Sequence, residues 1–443
     1  MRKTLTQQLG LVPASIPHPH ARELARASAI LDLVPEAAEL VAKDLSKGTK
    51  GSKAGRMGMS GEQVLRAALL KQMHGWSYHD LAFALADSPT FRTFCRIGFV
   101  DRAPKKATLA ANIKRVKPET FEQANRRIVA TAKNAGVEKG TKVRIDSTVI
   151  ESNIHDPLDS SLLYDVVRVL TRLLGRGTEF SGGFRFSDHT KRAKRRMLDV
   201  VNARSMARRV PFYRQLVEIT RWTMRYANHA ACLLEKVADP KAWALADGLK
   251  HYLALGSKVV DQTERRVLRE ESVPAQEKIV SIFEPHTDII VKDQRQTLYG
   301  HKVFFNVGTS GMIIDMLLER GNPADATHAI PMLERHRSIM GSVPEQAAFD
   351  AGFTSTANVR AAAALGVKDA AFAKKGTIEV LEGVRSPERH KKLQRFRAGV
   401  EGIISFTKRC FGLDRCLWRG YRSFHAYAWA SVLATNLLLL ARA

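Results

Sequence analysis

Apolar positions recur with a helical period through the first third of the chain. Residues 21–45 read as one amphipathic helix, and the Gly-, Lys- and Ser-rich run 46–56 reads as a linker. Ser60 followed by Gln63 predicts a capping box and a helix through Met73, ended at Gly75. Ser77 with Asp80 predicts a second start, running to about Asp87, and 108–116 reads as a third helix. Short helices with tight turns suit either a helix-turn-helix module or a plain helical bundle. From Gly140 the period changes, and 142–150, rich in β-branched residues, predicts a strand. Asp159 then caps a long helical region from Ser160 to about Val273, interrupted near 181–183 and at Asp239-Pro240. Strand patterns return at 278–283, 301–307 and 312–319. They are followed by a helix at 326–340, a strand ending at Asp350, a helix at 355–365, a strand at 370–372 and a helical stretch from about Pro387. A meander of strands that gives way to alternating helices and strands predicts an α/β fold with a mixed, mostly covered sheet.

Composition adds a partner to this picture. Of 443 residues, 70 are Lys or Arg and 44 Asp or Glu, a net charge of +26 that calls for a polyanion such as nucleic acid. A generally basic surface is the competing explanation. Cys95, Cys232, Cys410 and Cys416 make no pair with zinc spacing, and the apolar run 426–440 is too short for a bilayer and carries Asn436. These features predict a soluble, cytoplasmic protein with no membrane partner, its last helix packed on a core.

Three carboxylates stand out. Asp146 lies inside an apolar strand, where a carboxylate is costly unless paired or coordinated. Asp350 ends a strand just before a helix capped by Ser355, a position where ligands gather in open α/β sheets. Glu401 shares one face of the last long helical stretch with Arg397 and Lys408, all within about 40° of one another. Alone, that stripe is an ordinary solvated ion-pair face. Together with two strand aspartates it makes a set able to hold two Mg²⁺ ions, with Arg397 and Lys408 facing phosphates.

Phe396-Arg397-x3-Glu401-x6-Lys408 is similar to the Tyr-Arg-x3-Glu-x6-Lys signature of bacterial insertion-sequence transposases with an Asp-Asp-Glu site. Ile145-Asp-Ser-Thr148 resembles their first catalytic strand and Phe349-Asp-Ala-Gly352 their second catalytic position. Asn153-Ile-His-Asp-Pro-Leu-Asp-Ser-Ser-Leu-Leu163 and Ile282-Phe-Glu-Pro-His286 look like the ISNCY group, and Gly75-Trp-Ser-Tyr-His-Asp-Leu81 with Phe91-Arg-Thr-Phe94 resembles the N-terminal region of such proteins. The resemblance implies an RNase H-like mixed sheet with flanking helices, and two Mg²⁺ or Mn²⁺ ions held by Asp146, Asp350 and Glu401. It also implies cleavage at inverted-repeat ends of double-stranded DNA, joining of the 3′-hydroxyl to target DNA, and a homodimer or larger synaptic complex. A nuclease without strand transfer and a non-catalytic DNA-binding derivative are the alternatives. The signature tyrosine is Phe396 here.

The long interval between Asp146 and Asp350 holds the extra material. The expected organisation is an N-terminal helical, DNA-binding domain over 1–135, a catalytic domain from 140–159 and 278–443, and a helical basic insertion over 160–277. Within the insertion, Lys191, Arg192, Lys194, Arg195, Arg196, Arg208 and Arg209 lie near Phe184, Phe186, Phe212, Tyr213 and Trp222. Such cations neutralise phosphates, and aromatic rings stack on bases or fill a core. Lys114 and Arg115 are the corresponding candidates in the N-terminal part. Asp315 is a fourth strand carboxylate that competes with Asp350, and Glu151 and His286 are candidates for supporting the centre.

Overall fold

The structure is a computed structural model and describes residues 17–47, 58–98, 100–180, 184–292 and 296–443. Most of the expected linker at 46–56, and the break at 181–183, lie outside the described residues. Packing divides the chain into unit 1, Met1–Asn153 with His301–Ala443, and unit 2, Ile154–Gly300.

The one helix expected over 21–45 is two, α1 (Pro19–Asp32) and α2 (Pro35–Ser46). Pro35 has no N–H to donate and pushes Val34 out of the helical region, to φ −128° and ψ 58°. α3 (Gly61–His74) starts on the Ser60–Gln63 capping box and stops at Gly75, whose φ of 62° favours glycine. α4 (Tyr78–Asp87) starts on the Ser77–Asp80 box. A short α5 (Pro89–Phe94), α6 (Lys106–Ile113) and α7 (Pro118–Asn134) lead to β1 (Lys142–Ser152).

Unit 2 is a helical unit of α8 (Asp159–Gly177), α9 (Thr190–Asn202), α10 (Met206–Leu234) and α11 (Pro240–Thr263), closed by β2 (Asp288–Lys292). Asp159 is the first residue of α8, not its cap. Its carboxylate accepts from Gln262 at 2.9 Å and Arg266 at 2.8 Å. The strand expected at 278–283 is absent. Ile279 and Ile282 bury in the helical core of unit 2, and the Gln262 side chain bonds both the N–H and the C=O of Ile279. A side chain thus satisfies the backbone that a neighbouring strand would otherwise pair.

The remaining elements are β3 (Gln296–Val307), β4 (Ile313–Glu319), α12 (Ala329–Met340), β5 (Gln346–Phe349), α13 (Thr356–Ala364), β6 (Asp369–Phe372), α14 (Pro387–Phe411), β7 (Arg415–Cys416) and α15 (Tyr421–Arg442). The sheet order is β2-β3-β1-β5-β6, with β4 on β3 and β7 on β1. β3 pairs antiparallel with β2 and β4, while β5 and β7 run parallel to β1, and β6 parallel to β5. The sheet is therefore mixed, as expected, with α13 as the crossover that the parallel neighbours β5 and β6 require and α12 leading from β4 to β5.

In unit 1 the N-terminal helices and the sheet share one hydrophobic core, running from Leu24, Val41, Leu69 and Phe121 to Val143, Ile145 and Phe305. α15 is long and apolar enough to cross a membrane, but most of it is buried against α1, α3 and α7. Asn436 within it is wholly buried, bonding the backbone of Ile313 and the Asn125 side chain.

Candidate active site

The register of two parallel strands builds the site. Ile145 of β1 lies opposite Phe349 of β5, so the next residue on each, Asp146 and Asp350, emerges side by side where β5 ends. β1 continues beyond this point, which is why Asp146 is largely buried and Asp350 half exposed, at 13% and 46% of their side chains. Helix α14 packs across β1, β5 and β6. A side chain on Gly399 would strike the Arg144 guanidinium, and Arg144 Nη1 donates to the Phe396 carbonyl at 3.1 Å.

This close approach brings Arg397 to the two aspartates. Its Nη1 stands 3.5 Å from Asp146 Oδ2 and 3.6 Å from Asp350 Oδ1. Both distances are long for a charge-assisted bond, and the buried Arg397 Nε has no partner among the described residues. Asp146 Oδ1 accepts from the Ser147 amide at 2.7 Å. Burial pushes the Asp146 carboxyl up to about 6. The Ser147 amide and Arg397 oppose the shift, and the charges of Asp350 and Asp325 add to it.

Glu401 follows Arg397 by about one turn on α14 and is exposed. Lys408, further along, donates to the Val149 carbonyl at 2.9 Å and lies 3.6 Å from Asp414. The helix thus carries Arg397, Glu401 and Lys408 along β1. Asp146, Asp350 and Arg397 are drawn together, whereas Glu401 is not. Among the described residues no three His, Cys, Asp or Glu side chains gather closely enough to hold a metal ion. The donor chemistry itself, carboxylate oxygens on adjacent strands, suits a hard divalent cation.

Asp315 is not part of this centre. It is fully buried, and Arg335 clasps it with Nε on Oδ2 at 2.5 Å and Nη2 on Oδ1 at 2.8 Å. Glu151 pairs with Arg415 at 2.7 Å, and His286 with Glu284 at 2.8 Å in unit 2. Phe396 packs beneath two cations, 4.3 Å from Lys142 Nζ and 4.7 Å from the Arg144 guanidinium carbon.

The basic candidates of unit 2 fall into two sets. Lys191, Lys194, Arg195 and Arg208 are exposed on α9 and the start of α10. Arg192 lies over Trp222 at 5.2 Å, Arg196 pairs with Asp199 at 2.6 Å, and Arg209 donates to the Ala203 carbonyl. Phe184 and Tyr213 are buried in the unit's own core. In unit 1, Lys114 is exposed at the end of α6 near the Tyr78 ring, and Arg115 donates to the Lys47 carbonyl. One acidic residue escaped the sequence reading: Asp325, at the start of the turn that precedes α12, close enough to act on Asp146. No motif marks it. The only signal is its place just after Asn322-Pro323-Ala324, at a helix entrance.

A basic chain with paired strand-end carboxylates and a cation-bearing helix beside them has the make-up of a protein that acts on phosphodiesters. Comparison with family models agrees. Residues 260–437 match the Transposase DDE domain, and residues 14–115 match a Transposase domain (DUF772). Together they support a transposase of insertion-sequence type, an enzyme acting on DNA. The first match takes in Asp350, Arg397, Glu401 and Lys408, while Asp146 lies outside it. Comparisons with curated proteins and with solved structures give no match.

Proposed function

We propose that the chain cuts DNA at the ends of its own element and joins the freed 3′-hydroxyls to target DNA, as a transposase of the ISNCY group with an RNase H-like catalytic fold. The observation that carries this reading is the meeting of Asp146 and Asp350 at neighbouring strand positions under Arg397, on the helix that also bears Glu401 and Lys408. The order of the central strands supports the fold assignment: β4 and β3 lie on one side of β1, and β5 and β6 on the other.

Asp146 and Asp350 are the residues to hold divalent metal, with Glu401 as the third ligand. Two Mg²⁺ or Mn²⁺ ions so held would lower the pKa of an attacking water or hydroxyl and stabilise the leaving oxygen. The protein's own part is positioning and charge neutralisation. Arg397, already beside the carboxylates, is placed to take a phosphate oxygen of the scissile strand. Lys408 offers a second cation further along the same face. Lys191, Lys194, Arg195 and Arg208 of unit 2, with Lys114 and Arg115 of unit 1, are the phosphate contacts expected to hold the DNA, in a homodimer or larger synaptic complex.

The test uses duplexes carrying the element's terminal repeats with Mg²⁺ or Mn²⁺. The parent is expected to nick these ends and to give joined products with a target plasmid. Asp146→Asn and Asp350→Asn should bind the ends normally and yield neither product. Cleavage without joining would assign a nuclease, and full cleavage by either variant would refute the site.

A further inference from the structure

Asp325 belongs to neither strand that builds the site, yet several contacts tie its turn to the one that carries Asp350. Residues 325–328 form a short 3-10 turn, and residues 351–353 form another directly after Asp350. A Cβ placed on Gly352 would collide with the Asp325 carboxylate, so the Asp350 turn lies directly on that group. The Asn358 side chain donates to the carbonyls of both turns, to Ala326 at 2.7 Å and to Phe353 at 2.8 Å. Beneath them Phe304 stacks on His328 with ring centres 4.1 Å apart and meets Phe353 edge-on. Lys302 of β3 is the ion-pair partner at the acidic end: its Nζ lies 2.9 Å from Asp325 Oδ1, a buried oxygen that accepts no hydrogen bond among the described residues, and donates to the Pro323 carbonyl at 2.9 Å.

Neither the Arg-x3-Glu-x6-Lys pattern nor the strand order requires this arrangement. A carboxylate held against the backbone two residues beyond Asp350 limits where that backbone can go. Asp350 itself is half exposed, and among the described residues its one side-chain ion pair is the long Arg397 contact. Its position therefore depends on what lies behind its turn.

We propose that Asp325, held by Lys302, is a positioning residue of the carboxylate centre: it sets the turn after Asp350 and so keeps the Asp350 carboxylate beside Asp146. The inference rests on the function proposed above. Residues that orient ligating carboxylates typically change metal affinity or activity about ten- to a hundredfold when lost. The role differs from plain stabilisation, because it acts on metal affinity at constant fold.

The experiment measures Mn²⁺ binding by calorimetry on the full chain, alongside end-DNA binding, cleavage rate and Tm. Asp325→Asn is expected to weaken Mn²⁺ binding and slow cleavage by about ten- to a hundredfold, with end-DNA binding unchanged. Gly352→Ala, which presses on the same carboxylate from the other side, should move both readouts in the same direction. Lys302→Arg should keep parental values, because the cation is retained, whereas Lys302→Met should not. Parental Mn²⁺ affinity and cleavage in Asp325→Asn overturn the proposal. Should that variant fail to fold, parental values in Gly352→Ala overturn it instead. Failure of the functional reading looks different: the parent itself then binds no Mn²⁺, or Asp146→Asn still cleaves.

Discussion

Two aspartates of unit 1, the largely buried Asp146 on β1 and the fully buried Asp315 on β4, are each faced by an arginine, and burial raises the pKa of both. Their surroundings differ. Arg335 closes on Asp315 with two short bonds, and the carboxylate is sealed from solvent. Arg397 is shared between Asp146 and Asp350 at 3.5 and 3.6 Å, and the site stays partly open. A clasped pair satisfies itself and serves the fold. A carboxylate left with a distant, shared cation and acidic neighbours is costly to keep, a cost that perturbed groups at functional sites commonly carry.

The largest contrast should appear in catalysis. Asp146→Asn is expected to reduce metal-dependent end cleavage about a thousandfold or more, while Asp315→Asn that remains folded should cleave within a few-fold of the parent. Single-turnover assays on both variants check this, and equal losses would erase the distinction.

The order should reverse for stability when the arginines are removed. Arg335→Met leaves a buried carboxylate without its partner and should cost about 3–5 kcal/mol. Arg397→Met breaks contacts of 3.5 and 3.6 Å in place of two short bonds and should cost less than Arg335→Met. Denaturant unfolding of the two variants measures the difference.

A third expectation concerns pH. Asp146 titrates at about 6 in the folded chain, against about 3.9 when unfolded. Between those values the folded state binds the extra proton, so its stability falls as pH rises through the window. Asp146→Asn removes that penalty. It should be more stable than the parent above pH 6, by up to about 3 kcal/mol, and the gain should vanish below about pH 4. An inactive variant that melts higher at pH 8 is the expected outcome, and thermal melts across pH 4–8 would show it.

The smallest effect belongs to Phe396→Tyr. The ring is already held by Lys142 and Arg144, so a hydroxyl at its edge should change stability by no more than about 0.5 kcal/mol. A cleavage rate within threefold of the parent is expected, and a larger gain would show that the hydroxyl has work to do at the centre.

Much of this was legible in the sequence because the signals were local. The helix starts at Ser60 and Ser77, the stop at Gly75, the strand end at Asp350 and the Ser355 cap all depend on residues a few positions apart, and the structure has each of them. The readings that failed depended on distant partners. Residues 278–283 alternate like a strand, but Gln262 and the helical core of unit 2 claim them. Asp315 looked like a rival ligand because nothing near it in sequence announced Arg335. Asp325 has no local signal, because Lys302 and Gly352, which lie against it, belong to other elements. The pairing of Asp146 with Asp350 was implied by motif, and the β1–β5 register supplies its physical basis.

Glu401 carries the central claim most openly, since it lies on the right helix but outside the cluster of Asp146, Asp350 and Arg397. The direct measurement is Mg²⁺-dependent cleavage of terminal-repeat DNA by Glu401→Gln, with gel-shift binding of the same DNA as the control. Abolished cleavage with binding intact is the predicted result. Cleavage at the parental rate would remove Glu401 from the centre and contradict the account.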